Sequence, residues 1–396
     1  MTDTPLTVLD LVPISSGSTA PQALRNSIDL ARQAEQLGYA RYWFAEHHLN
    51  PGVAGTSPAV VLALTAAATS TIRLGAGAVQ LGHRTALSTV EEFGLLDALH
   101  PGRFDLGLGR SGGRPAPADP QAPADPQAPA DPRQAPADRE PALVGAATAR
   151  DGGRTLGGLR IPARFSFAHL LDSPRFALHR TLLQQPGAES QPYDEQIADI
   201  LALLAGSYVS ADGVEAHVVP GEGADLQVWI LGSSGGISAE IAGAGGLRFA
   251  ANYHVSPATV LEAAESYRAA FTPSADRDRP YLSVSADVVV AEDEATAREL
   301  ATGYGLWVRS IRSGEGAIRF PTPDEARAHA WTEEDRALVA DRTETQFVGS
   351  PRQVADQLET LRDATGADEL IITTITHQHR DRVRSYALLA EEWARR

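Results

Sequence analysis

The chain has 396 residues, 43% of them hydrophobic, enough for a substantial core and incompatible with global disorder. It contains no cysteine, which excludes disulfides, thiolate metal sites, iron–sulfur clusters and cysteine nucleophiles. Lys and Arg number 34 against 50 Asp and Glu, a formal charge of −16; such a surface repels phosphate backbones, so nucleic acid is not an expected partner.

In chain order, strand and helix signals alternate. Residues 6–12 are a short β-rich run, and residues 21–37 carry Leu24, Ile28, Ala31 and Leu37 at helical spacing up to Gly38. Residues 41–45 are the second strand. Ser57-Pro58 supplies an N-cap and a first-turn proline for a helix to about residue 69. Residues 72–79 read as a strand, 88–99 as a helix closed by Pro101-Gly102, and 104–108 as the fourth strand. Residues 115–138 then break the pattern with a six-residue repeat of Pro, Ala, Asp and Gln. Proline at that density removes backbone donors and disfavours helix, so a disordered surface insertion is expected.

Beyond it, residues 193–204 read as a helix, 227–231 as a buried strand and 236–244 as a helix. Residues 247–251 are a strand, and Ser256-Pro257 caps a helix reaching about residue 271. Residues 281–290 are a seventh strand, Ser350-Pro351 starts a helix to about 364, 369–374 is an eighth strand, and 381–393 closes as a helix. Eight strands, each followed by a helix, predict a parallel sheet, either a (β/α)8 barrel or an open doubly wound sheet. The count favours a TIM barrel, and no GxGxxG turn follows the first strand. The expectation is a single barrel domain over residues 1–396, with interruptions at about 110–190 and 303–349 folding over its C-terminal face as lids or spacers. No apolar run approaches the roughly 20 residues needed to span a bilayer, and the opening MTDTPLTVLDLVPISS has no secretory pattern. A cytoplasmic location is expected.

Barrel active sites sit at the C-terminal ends of the strands, and three clusters lie there. Glu46-His47-His48 follows strand two. A carboxylate beside two imidazoles can set a tautomer and raise a pKa, giving a general base near neutrality; a hydrogen-bonded corner that ties down the loop is the plainer reading. A metal site would need a third ligand such as His83, His377 or His379, and no spacing resembles a known binding helix; no metal is expected. Gly75-Ala76-Gly77-Ala78 ends strand three, where small residues admit a flat ligand or serve tight packing. Leu231-Gly232-Ser233-Ser234-Gly235-Gly236 joins strand five to its helix; its backbone donors, hydroxyls and helix N-terminus suit a phosphate. Arg110, past strand four, is placed to balance the charge or is a plain surface arginine. Together these imply a planar, phosphate-bearing ligand, a description that fits flavin mononucleotide.

The stretches LDLVPISSGSTAPQALRNSIDLARQAEQLGYARYWFAEHH and TSTIRLGAGAVQLGHRTALSTVEEFGLLDALHPGRFDLGLGR resemble the bacterial luciferase-like flavin monooxygenases, as do VWILGSSGGISAEIA and FVGSPRQVADQLETLRDATGADELIITT. The resemblance covers most of the chain outside the repeat and residues 303–345. It implies a monooxygenase that uses reduced FMN, supplied by a separate flavin reductase, and molecular oxygen to oxygenate a small organic substrate, as in tailoring of a secondary metabolite. His47 then matches the catalytic histidine and Glu46 its neighbour near the ring. Gly77-Ala78 matches a non-prolyl cis peptide, with Ala76 beside it at the flavin, and Arg110, Ser233, Ser234, Gly235 and Gly236 match the phosphate cradle. A homodimer through the second and third helices is also implied. Gly109 stands where the luciferase has a cysteine, so light emission is not expected. Two rival readings are a deazaflavin-dependent hydride-transfer enzyme on the same barrel, and a non-catalytic flavin-binding homologue.

Overall fold

A computed structural model describes residues 4–110, 153–167, 170 and 173–396; the 115–138 repeat lies outside them. Twelve strands carry the labels β1 (Leu6–Asp10), β2 (Arg41–Phe44), β3 (Arg73–Ala76), β4 (Val79–Gln80), β5 (Phe104–Gly109), β6 (Arg154–Leu156), β7 (Leu159–Ile161), β8 (Gln227–Gly232), β9 (Arg248–Asn252), β10 (Leu282–Val290), β11 (Phe347–Gly349) and β12 (Glu369–Thr373). Eight pair in parallel in the circular order β1, β2, β3, β5, β8, β9, β10, β12, and β12 returns to β1. The sheet is a closed barrel, and the open-sheet alternative falls away.

Period-2 alternation sorts each strand between two cores. Val8, Tyr42, Phe44, Leu370 and Ile372 pack outward beneath the helices. Leu9, Trp43, Trp229, Ala250 and Ile371 turn inward. Burying such a side chain contributes about 2–3 kcal/mol, which is why one wrong face is not tolerated. Gly75 makes room for this inner layer: a Cβ there would lie 2.7 Å from the Trp43 indole and from Asp105 Cβ. The packing reading of that glycine is therefore the one realised.

The helix boundaries differ from expectation where caps decide them. Thr85, not a later residue, caps the third helix by accepting from Ser88 N at 3.1 Å, so it starts at Ala86. Ser57 and Ser256 occupy N-cap positions without a side-chain bond, and a 3-10 turn, Pro257–Thr259, precedes helix Val260–Ala270. Ser350 forms a full capping box with Gln353, and Gly366 ends the same helix at φ 64°. The expected strand at 72–79 divides into β3 and β4 around the Gly77-Ala78 peptide, which is cis.

The second interruption is structured rather than a spacer. Helices Gly303–Arg312, Pro323–Ala328 and Glu333–Thr343 precede β11, which pairs with β10. Tyr304, Trp307, Val308 and Ile311 recur at helical spacing and give the first of these an apolar face, directed at the inner core. Of the first interruption, the described part comprises the β6–β7 hairpin and helix Pro174–Leu183. No described helix is long and apolar enough to cross a membrane.

Candidate active site

The C-terminal mouth of the barrel opens into a cavity of about 920 Å³, the size range of cofactor sites. His47, Glu46, Gly77, Ala78, Arg110, Ser233, Ser234 and Gly236 all line it. Ala76 and Gly235 do not. The Ala76 side chain faces the outer core, and Gly235 N–H is taken by Glu262 Oε1 at 3.3 Å.

The three residues after β2 divide their work. His47 N donates to Gly55 O at 2.7 Å, which fixes the backbone, while its Nδ1 is buried without a partner among the described residues. Burial, then the neighbouring His48, push its pKa down to about 4, against a smaller upward pull from Glu46. The ring is neutral at pH 7 and can accept or relay a proton. Glu46 is a hub of a different kind. Its carboxylate accepts from His48 Nε2 at 2.9 Å, Gln80 N at 2.9 Å and Arg84 Nη2 at 3.1 Å, with His83 Nε2 at 3.3 Å. These donors overcome its burial and hold it well below the usual carboxylate range. Gln80 Nε2 also donates to Glu46 O at 2.6 Å, so the segment after the cis peptide is tied to the His47 loop. Glu46 orients His48, not His47, and braces the corner.

The ligand atoms of Glu46, His48 and His83 lie within 4.8 Å of one another, a spacing that a metal can bridge. The Arg84 guanidinium already supplies positive charge at the same Glu46 oxygen, and a cation there would meet it directly. The cluster is a hydrogen-bonded brace.

Across the cavity, the turn after β8 is held from behind. Thr259 Oγ1 donates to Ser233 O, and Ser266 Oγ donates to Gly235 O at 2.8 Å. This leaves the Ser234 and Gly236 N–H groups without partners among the described residues, at the N-terminus of helix Ile237–Ala244. Arg110 is exposed at the rim, near enough to Tyr193 to oppose the rise of that phenol to about 12 caused by burial.

Four further lining residues, Asn252, His254, Asp287 and Arg342, escaped the sequence reading. The His254 ring, pushed down to about 3 by burial, Arg342 and His47, is hydrogen-bonded through Nδ1 to Ser285 Oγ at 2.5 Å. Asp287 accepts from Tyr304 OH and from Arg342 Nη2 at 3.1 Å, yet burial still raises its pKa. His254 lies just past the C-terminal end of β9, where the strand-end rule points, whereas Asp287 lies inside β10, three residues before its end, where that rule does not reach. Arg342 comes from a helix not recognised in sequence.

The luciferase-like monooxygenase family model matches residues 4–130 and 186–369, and the chain belongs to that family. It is 34% identical over 395 residues to the uncharacterized protein YvbT of Bacillus subtilis, covering 100% of this chain and 98% of that one. The apo-MsnO8 crystal structure superposes with a TM-score of 0.72 at 29% identity, over 99% of this chain and 98% of that one. The oxygenating constituent of 3,6-diketocamphane monooxygenase from Pseudomonas putida, solved in complex with FMN, shares the fold at a TM-score of 0.62 and 16% identity, over 99% of each chain. The family assignment makes the protein an oxidoreductase of the monooxygenase type, and its structural neighbours use flavin-type cofactors.

Proposed function

We propose that this chain is a reduced-FMN-dependent monooxygenase, with His47 as its catalytic base and a multi-carbon organic compound, such as a secondary metabolite, as substrate. The observation that carries this is the half-buried, neutral His47, whose buried Nδ1 has no partner among the described residues, facing a cavity that ends in a helix N-terminus.

The residues present fit FMN. The N–H groups of Ser234 and Gly236, the serine hydroxyls and the helix N-terminus would take its phosphate, and Arg110 would balance the charge. Gly77 and Ala78 present a flat backbone surface toward the ring position, and a side chain at Gly77 would run into Leu9 Cδ1 at 2.9 Å. Glu46 holds that backbone in place through Gln80. Bound reduced FMN would supply the electrons that activate oxygen. His47 would accept and return a proton at the substrate, and the helix bearing Trp307, Val308 and Ile311 would exclude water from the apolar half of the cavity.

A separate flavin reductase would supply the reduced cofactor. A second copy of the chain would cover the apolar side chains left exposed on helices Pro58–Ala66 and Ala86–Leu99, among them Val60, Leu64, Leu95 and Leu99. The test is titration of the protein with FMN and with a deazaflavin, then oxygen uptake with reduced FMN and a substrate panel. Substrate-dependent uptake with a product one oxygen atom heavier is expected. Binding of the deazaflavin alone would overturn the cofactor assignment, and peroxide release unaffected by any substrate would leave only a flavin-binding protein.

A further inference from the structure

The floor of the barrel carries a charge imbalance unrelated to the cavity above it. Asp105 and Glu369 are the carboxylates of the inner polar layer, and both are saturated. Asp105 accepts from Arg41 Nη1, Arg73 Nε and Trp43 Nε1, each at 2.9 Å. Glu369 accepts from Arg41 Nε at 3.1 Å, from Tyr281 OH at 2.8 Å and from Thr7 Oγ1. Two more arginines stand beside this layer with no salt bridge among the described residues: Arg248, the first residue of β9, which Asp105 attracts without contact, and Arg277, in the loop before β10.

Both guanidiniums pack on the same aromatic wall. The Arg277 Cζ lies 4.8 Å from the Tyr281 ring centroid; the Arg248 Cζ lies 5.5 Å from that centroid and 5.7 Å from that of Trp229. The aromatic faces offset part of the cost of confining the cations. Yet the Nε of each is buried and has no acceptor among the described residues, and the same holds for Nε1 of the fully buried Trp229. The hydroxyl of Ser283, the inward residue of β10 near Tyr281, is also buried and unpartnered. Buried polar groups left without a partner are destabilising, and these are all groups able to donate. Burial, Arg277 and Arg41 together push the Arg248 pKa down to about 10, against smaller upward pulls from Asp105 and Tyr281. What this corner lacks is a negatively charged acceptor.

We propose that the N-terminal mouth of the barrel binds a tetrahedral oxyanion, sulfate or phosphate, between Arg248 and Arg277. Two guanidinium forks present more parallel N–H pairs than one carboxylate can fill, whereas a divalent tetrahedral anion offers four oxygens and neutralises both charges. Chloride offers no such geometry. The bound anion would tie the start of β9 to the loop entering β10 and stabilise the barrel from the end opposite the cavity.

The test exchanges chloride for sulfate at constant ionic strength, with FMN saturating so that the upper phosphate cradle is filled. A saturable rise of about 2–4 °C in the unfolding midpoint is expected for the native protein, and its loss in Arg277→Gln and in Arg248→Gln. Crystals soaked in selenate provide a second readout that does not depend on FMN binding or on the variants: an anomalous peak is expected between the two arginines. The same rise in both variants, a response appearing only at molar sulfate, or ordered water alone at that position would overturn the proposal.

Discussion

At the N-terminal end of the barrel, Arg41 reaches Asp105 at 2.9 Å and Glu369 at 3.1 Å and leaves neither carboxylate free for a ligand. At the C-terminal end His47 is half-buried, and its buried Nδ1 meets no partner among the described residues. Both ends use the same inward column of alternating positions, so the difference lies in completeness. A network whose members satisfy one another makes scaffold. A buried donor or acceptor left open beside a cavity is a place where a ligand can complete the count. Arg248 and Arg277 break the rule at the floor, and that exception is what points to an anion there.

The comparison can be broken from either end. The largest expected effect is at the top: His47→Asn should lower turnover about 10²–10⁴-fold, the range for loss of a general base, while FMN affinity in a fluorescence titration changes little. An active His47→Asn enzyme would return the imidazole to the status of a structural residue. At the bottom, Arg41→Ala should cost about 3–5 kcal/mol in urea unfolding, because it leaves the buried Glu369 without a cationic partner and Asp105 with Arg73 alone; a loss below about 1 kcal/mol would show that water repairs the floor.

The pH response separates the ends further. The His47 pKa in the fold, about 4, lies below its ordinary 6.5, so between those values the unfolded chain binds more protons and stability falls as pH falls. His254 acts in the same direction. The His47→Asn variant should therefore lose stability less steeply between pH 6.5 and 4, read from unfolding free energies across that window. An unchanged slope would mean that His47 is not the neutral group described. Glu46 acts lower, since its depressed pKa makes its contribution complete above the ordinary carboxylate range and lost as pH drops beneath it. The smallest effect is expected at the cradle, where Ser234→Ala removes one hydroxyl among several donors and should weaken FMN about five- to tenfold. No change would move the phosphate elsewhere along the rim.

Much of the scaffold was legible because its elements carry strong local signals. Helix Tyr193–Leu204 begins and ends at its expected residues, and the eight barrel strands appear within a few residues of expectation. The misses have physical causes. Thr85 outcompetes Ser88 as a cap because its side chain reaches the free Ser88 N–H. Helix Gly303–Arg312 has its periodic apolar face, but Gly303 and Gly305 and the charged residues around it masked the start. In the candidate site, the strand-end rule points to Glu46, His47, the serine-glycine turn and His254, but not to Asp287, which lies inside β10.

By itself, the sequence determined the barrel, through strand-helix alternation, and the candidate clusters, through their positions at strand ends. Both depend on local pattern and on chain order. It placed Glu46 and His47 together in one motif and, without the family resemblance, did not assign their separate contacts. Only the tertiary structure separated them, by bringing Gln80, His83 and Arg84 onto the carboxylate while burying the imbalance at His47 Nδ1. Residues more than thirty positions away make those contacts, and no local pattern encodes which of two adjacent side chains a distant donor will reach.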